Sequence, residues 1–155
     1  MDNHAIAEVT DHEGVLAMQV MAVGGQLIAM DLREIAAVTE WRQPTPLPGA
    51  PVAVLGVICL EGRMLTVISL NALMNESQTG GQSFVALRGA EQIAIAVDNL
   101  TEVISIDPTE LRQRGTTNSL LAAVITKDEQ EISVVDPEQL FATAMRGRER
   151  RRRRF

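Results

Sequence analysis

The sequence contains few aromatic residues and almost no cysteine. Its 155 residues include three Phe, one Trp, no Tyr and one Cys. A single cysteine cannot form an internal disulfide, which is typical of proteins from a reducing compartment. Because 46% of the residues are hydrophobic, the chain can build a packed core, and that core must be aliphatic. We expect Cys59, which lies in an apolar run, to be a buried strand residue rather than a nucleophile.

Long apolar runs are also lacking. No stretch reaches the roughly 18 residues of a transmembrane helix, and the N-terminus has acidic residues where a signal peptide has basic ones. These absences predict a soluble, cytoplasmic protein. The length favours one domain, which we assign to residues 14–145. We expect residues 1–13 to form a flexible arm and residues 146–155 to form an Arg-rich tail.

The charge is distributed unevenly along the chain. The net charge is −6, but residues 146–155 contain seven Arg and one Glu, and so carry +6. Residues 1–145 therefore carry −12, which excludes a folded body that binds nucleic acid. For the tail, we favour solubility or electrostatic tethering. Weak contact with an anionic membrane or with nucleic acid stays open as an alternative.

Residues that could support catalysis or metal binding are scarce. His4 and His12 both lie in the N-terminal arm, whereas a metal site needs at least three ligands on a fixed frame. The sequence has no nucleophile-elbow, zinc, C-x-x-C or phosphate-loop motif. We therefore predict that the protein is not an enzyme and has no metal and no cofactor.

Short apolar runs separated by turn residues dominate the middle of the chain. Gly24-Gly25 and Glu61-Gly62 each separate two such runs, which indicates β-hairpins. We count nine or ten strands at intervals of about 8–12 residues, with no long amphipathic helix between them, and this spacing indicates an all-β barrel or sandwich. Four prolines in residues 43–51 predict a rigid surface loop.

Helix-start patterns occur twice in the second half of the chain. Asp107-Pro108 and Asp136-Pro137 each combine a capping carboxylate with proline at the first helical position. The second pattern predicts a final helix that ends at about Met145. The two halves of the chain also share an outline of strands, a Pro-bearing segment and a hairpin, which suggests two small barrels packed together.

Four stretches in this order carry a resemblance to a known family. They are TPLPGAP (residues 45–51), VLGVICLEGRMLTVISL (54–70), IAIAVDNLTEVISI (93–106) and ISVVDPEQLF (132–141). Together they resemble the CheW family of chemotaxis adaptors. The resemblance implies two five-stranded SH3-like β-barrels with a few short helices, including one at the C-terminus.

The same resemblance implies a function and a set of contact residues. It implies a non-catalytic adaptor that links the signalling tip of a chemoreceptor to the regulatory domain of a CheA-like histidine kinase, recruited through receptors to the inner face of the membrane. In the family, the receptor docks in the groove between the barrels and the kinase at the end of the second barrel. By position, the partner-binding candidates are Ile35, Val38, Gly56, Leu60, Gly62, Val97 and Asp98.

This chain also departs from the family pattern. Glu61 stands where the family usually has Arg, and Ala37 stands where it usually has Glu, so we add both to the candidate partner-binding residues. Ser69 replaces the Asp of the Val-Ile-Asp-Leu motif, and Thr66 replaces its Pro. Because a charge reversal at a contact costs several kcal/mol, we expect altered partner specificity. The alternatives are a binding module that has lost kinase coupling, or a small-molecule-binding β-barrel.

Overall fold

The computed structural model describes residues 14–77, 82–89, 91–113 and 120–153, with side chains as far as Arg146. The predicted N-terminal arm and both histidines lie outside this part. The strands are β1 (Leu16–Val23), β2 (Gln26–Asp31), β3 (Ile35–Glu40), β4 (Val54–Leu60), β5 (Arg63–Ser69), β6 (Ser83–Leu87), β7 (Ile93–Val97), β8 (Asn99–Ile106), β9 (Arg112–Gln113), β10 (Leu121–Lys127) and β11 (Gln130–Val135). Two α-helices, α1 (Leu70–Leu73) and α2 (Leu140–Arg153), accompany three single 3-10 turns, Leu32–Glu34, Pro108–Glu110 and Pro137–Gln139.

The strands of the described residues form two sheets. One sheet has the order β8-β1-β2-β11-β10-β9 and the other has the order β3-β6-β7-β5-β4. The prediction of an all-β fold with two subdomains is therefore confirmed. The first sheet has six strands rather than five because the two-residue strand β9 adds to its edge. The sheets fit SH3-like barrels, although hydrogen bonds between their edge strands do not close them in the described part of the chain.

Three clusters of buried side chains form the core. One cluster lies within the six-stranded sheet and includes Met18, Ile106 and Ile125. Another lies within the five-stranded sheet, around Phe84 and Leu65. The third and largest cluster contains residues of both sheets and of α2, so it is the interface between the two sheets. Alternate side chains of a strand point to opposite faces, and the five-stranded sheet therefore supplies one face to its own cluster and the other to the shared interface.

The hairpin predictions are confirmed. β1 pairs with β2 across Gly24-Gly25, and β4 pairs with β5 across Glu61-Gly62. At the second turn, φ is 53° for Glu61 and 79° for Gly62, which is the left-handed backbone that two-residue hairpin turns require.

Both predicted helix starts are confirmed, but the predicted length of the last helix is not. Asp107 caps a 3-10 turn with a reciprocal capping box to Glu110, and the turn ends at once. Asp136 caps a similar turn, which leads into α2. The prediction that this last helix ends near Met145 is wrong, because α2 continues to Arg153. None of the described helices has both the length and the apolar character to cross a bilayer.

Candidate partner-binding surface

The face of the five-stranded sheet that packs against the other sheet is only partly covered. Val38 pairs with Val85, and residues paired across strands share a face. Val85 is fully buried in the interface between the sheets, but Val38 is 49% exposed. The difference arises because β3 is an edge strand, so Val38 lies at the end of a buried row, at the margin of the interface between the sheets.

The same face is uncovered at the far end of the β4–β5 hairpin. Cys59 pairs with Met64, and both are exposed, Met64 to 58%. The prediction of a buried Cys59 is therefore wrong. Both side chains lie near the turn of the hairpin and belong to none of the buried clusters of the described residues. We call Val38, Cys59 and Met64 the uncovered margin.

Exposed apolar side chains concentrate around this barrel. Of the seven large hydrophobic residues that are exposed in the described part of the chain, five lie between positions 38 and 64: Val38, Trp41, Leu47, Val52 and Met64. Single exposed apolar residues are normal on a protein surface, but a concentration of them indicates a contact surface. The pattern of apolar residues in the sequence does not show which of them remain exposed in the folded protein.

The proline-rich loop is fixed to the outer edge of β4. Thr45 donates its N–H to the Val57 carbonyl at 2.8 Å and accepts the Val57 N–H at 2.9 Å. Gly56 makes this close approach possible. Its φ is +140°, and a Cβ at this position would lie 2.2 Å from the carbonyl oxygen of Thr45. The loop thus covers the strand edge and presents Leu47 and Val52 outward as part of a rigid surface.

Two side chains attach the start of the same loop to the barrel. The ring of Trp41 packs against Phe84 with centroids 5.0 Å apart and planes inclined by 45°, a favourable aromatic geometry. The Nη1 of Arg42 donates to the Cys59 carbonyl at 2.8 Å. The exposed part of Trp41 is consequently held in place beside the β4–β5 hairpin.

The start of β3 is fixed by a short polar turn. The Asp31 carboxylate accepts the backbone N–H of Arg33 at 2.9 Å and forms an ion pair with its guanidinium at 2.8 Å. Partial burial raises the pKa of Asp31, but the hydrogen bonds and the charge of Arg33 outweigh it, and the net pKa is lowered. The carboxylate therefore stays ionised and holds the turn that leads to Ile35.

The candidate residues divide into two groups. Val38, Glu61 and Gly62 are exposed, and Ile35, Ala37 and Leu60 are half-buried. All six lie on β3 or on the β4–β5 hairpin, so the structure brings them to one barrel, and their partner-binding role stays a prediction.

The remaining three candidates are buried, and their partner-binding role stays a prediction. Val97 has no exposed surface, because it packs in the interface between the sheets. Gly56 is covered by the proline-rich loop. Asp98 is 5% exposed.

Asp98 instead joins the two sheets. Its carboxylate accepts the Gly24 N–H at 2.7 Å and the Asn71 side-chain amide at 3.2 Å. Gly24 belongs to the β1–β2 turn of one sheet, whereas Asn71 lies in α1, directly after β5 of the other. Because a buried carboxylate needs such donors, Asp98 acts as a clamp between the sheets.

One departure from the family pattern has a local structural explanation. Ser69 is the N-cap of α1, and its hydroxyl accepts the Ala72 N–H at 3.2 Å. Ser and Asp are both strong N-cap residues, so the replacement preserves the cap. Among the described residues, no three His, Cys, Asp or Glu side chains are placed to hold a metal ion.

Comparison with known proteins supports the fold and the family. The crystal structure of the scaffolding protein TtCheW from Thermoanaerobacter tengcongensis is similar, with a TM-score of 0.72 at 20% identity over 78% of this chain and 88% of that chain. The chemotaxis protein CheW of Bacillus subtilis (strain 168) is 22% identical over 128 residues, 77% of this chain and 82% of that protein. The chemotaxis protein CheW of Rhizobium meliloti (strain 1021) is 24% identical over 94 residues, 58% of this chain and 61% of that protein.

The family assignment rests on most of the chain. The model of the CheW-like domain matches residues 17–145, which include both sheets and the first turns of α2. The prediction of a non-catalytic module agrees with this family and with the description of TtCheW as a scaffolding protein. The chain therefore belongs to the CheW-like domain family.

Proposed function

We propose that this protein is a cytoplasmic, non-catalytic adaptor of a bacterial chemosensory pathway, which links chemoreceptor tips to the regulatory domain of a CheA-type histidine kinase. We propose further that its set of partners differs from that of an ordinary CheW protein. Receptors would recruit it to the inner face of the membrane. Family membership and the curated chemotaxis relatives support the general role.

The uncovered margin is the observation that carries this proposal. Val38 and Met64 expose about half of their side chains on the face of the five-stranded sheet that packs against the other sheet. Exposed apolar side chains of this kind are suited to receive an amphipathic helical hairpin, because such helices bury one apolar face. The aliphatic, non-reactive character of these residues suits binding rather than catalysis.

Glu61 supports the altered partner set. It is exposed at the tip of the β4–β5 hairpin, next to the uncovered margin. A carboxylate in place of a guanidinium changes the local charge by two units, and like charges brought together at an interface cost several kcal/mol. Partners that suit an Arg at this tip should therefore bind this protein poorly.

The test is a charge swap at Glu61 with a matched control. Asp128 occupies the corresponding position of the β10–β11 turn and has nearly the same backbone, φ 52° against 53° for Glu61. We expect Glu61→Arg to change the affinity for a receptor tip or kinase regulatory domain by about tenfold or more, which corresponds to about 1.4 kcal/mol, and Asp128→Arg to change it little. The measurement is calorimetric titration with both partners from the same cell.

Two outcomes separate the parts of the proposal. Equal effects of the two substitutions would remove Glu61 from partner choice but leave the adaptor role intact. Failure of the unaltered protein to bind any receptor tip or CheA-type kinase of its own cell would overturn the adaptor role itself.

A further inference from the structure

The chain carries two regions of opposite charge that the adaptor role does not use. Residues 1–145 carry −12 and residues 146–155 carry +6. The match to the CheW-like domain ends at residue 145, so the arginine-rich segment, residues 146–155, is an addition to the family domain. A segment of this charge needs an anionic partner or free solvent.

The arginine-rich segment continues an anchored helix. Leu140 and Ala144 of α2 are buried in the interface between the sheets, and the helix continues without a break to Arg153. At a rise of about 1.5 Å per residue, the backbone of Arg150 lies about 15 Å along the helix axis from Leu140. The helical backbone of residues 146–153 therefore runs away from the turn that precedes α2 in the same molecule.

An acidic groove lies at the start of α2. It has a volume of about 390 Å³ and is formed between the β6–β7 connection and the turn that precedes α2. Its buried floor includes Leu87 and Ile93. Glu34, Glu91 and Glu138 line it, with Arg88 as the one cation among its lining residues, which leaves two net negative charges.

We propose that the arginine-rich segment of one molecule docks in the acidic groove of a second copy. Guanidinium groups bind carboxylates through paired, charge-assisted hydrogen bonds, and the alkyl stems of arginine can cover an apolar floor. The length of α2 prevents the same contact within one molecule, so the charge complementarity is satisfied between copies. This proposal does not depend on the adaptor role.

The contact predicts a defined assembly. A segment on one surface and a groove on another make a head-to-tail interface, which closes into a reciprocal dimer or ring, or extends as an open chain. Because the charges are near the surface, salt must weaken it, since the screening length falls from about 30 Å at 0.01 M to about 3 Å at 1 M ionic strength.

The experiment is sedimentation velocity of the full-length protein at low and high ionic strength. We expect the protein to associate at low ionic strength and to dissociate at high ionic strength. It should be lost in a tail variant with Arg150 to Arg153 changed to Gln, and in a groove variant with Glu34→Gln, Glu91→Gln and Glu138→Gln. The matched control changes three exposed acidic residues of the β10–β11 hairpin, Asp128→Asn, Glu129→Gln and Glu131→Gln, and should associate normally.

A mixing experiment makes the test specific. The tail variant keeps its groove and the groove variant keeps its tail, so a mixture of the two should form a heterodimer, although neither associates alone. A monomeric unaltered protein at low salt, or no heterodimer in the mixture, would overturn the proposal. Tail-dependent binding to anionic vesicles or to single-stranded RNA by a protein that stays monomeric would likewise overturn it, and would support a lipid or nucleic-acid partner instead. Circular dichroism of each variant confirms that it is folded.

Discussion

Replacement of Gly56 by Ala is the sharpest test of how the candidate surface is built. The added Cβ would lie 2.2 Å from the carbonyl oxygen and 2.7 Å from the carbonyl carbon of Thr45. Both atoms are backbone, so a side-chain rotation cannot relieve the overlap. We expect the proline-rich loop to be displaced from β4, with loss of the two hydrogen bonds between Thr45 and Val57.

The expected cost follows from two contributions. A non-glycine residue in the backbone region of Gly56 costs about 1–3 kcal/mol, and the two backbone hydrogen bonds contribute about 0.5–1.5 kcal/mol each. The sum is about 2–6 kcal/mol, a large part of the roughly 5–15 kcal/mol that stabilises a domain. With a urea slope of about 2 kcal/mol per molar, a loss of about 4 kcal/mol lowers the urea midpoint by about 2 M.

Gly62→Ala is the matched control in the same hairpin. Gly62 also has a positive φ, +79°, but a Cβ there meets no atom within 4 Å. We expect it to cost only the backbone strain, about 1–2 kcal/mol. Urea unfolding of both variants gives the difference, and amide hydrogen exchange of Thr45 and Val57 locates it. Equal destabilisation by the two substitutions, or unchanged exchange at Thr45, would refute the argument that Gly56 is required for the loop contact.

Two further predictions concern polar groups. Asp98→Ala should destabilise the protein by about 3 kcal/mol in urea unfolding, because it leaves the Gly24 N–H and the Asn71 amide without their carboxylate acceptor. The control, Glu102→Ala at an exposed position, should change the stability little. A loss below about 1 kcal/mol for Asp98→Ala would contradict the clamp. The backbone N–H of Thr109, and to a smaller extent its hydroxyl, donate to the Asp107 carboxylate and lower its pKa below the ordinary value of 3.8. The stability that this cap contributes is therefore complete above pH 3.8 and is lost as the pH falls through the lowered pKa. An NMR titration midpoint of the Asp107 carboxyl at or above 3.8 would refute this.

The sequence predicted the local elements of the fold well. Gly24-Gly25 and Glu61-Gly62 placed the hairpins, and the Asp-Pro pairs placed both capped turns, because these signals depend on backbone geometry within a few residues. The proline-rich loop was also predicted. Its attachment to β4 was not, since a bridge between Thr45 and Val57 joins residues twelve positions apart that carry no pairing signal.

The prediction of the candidate surface was less complete. Family position selected Val38, Glu61 and Gly62, which lie at the surface of one barrel. It also selected Val97 and Asp98, which are buried. It did not select Trp41 and Met64, which are exposed, because exposure has no signature in an apolar run. Cys59 illustrates the reason: its neighbours in sequence are apolar, but whether a strand residue is buried depends on how far the opposite sheet extends.

Neighbouring residues suffice to predict the strands, the turns and the lack of catalytic motifs, because each of these features is encoded locally. The exposure of particular apolar side chains, and the contact of Asp98 with both sheets, follow only from the packed fold. Val38 and Val85 show the physical reason. They are the same residue type and are paired on one face, yet one is buried and the other is half exposed, since burial is set by the packing of distant segments and not by the residue itself.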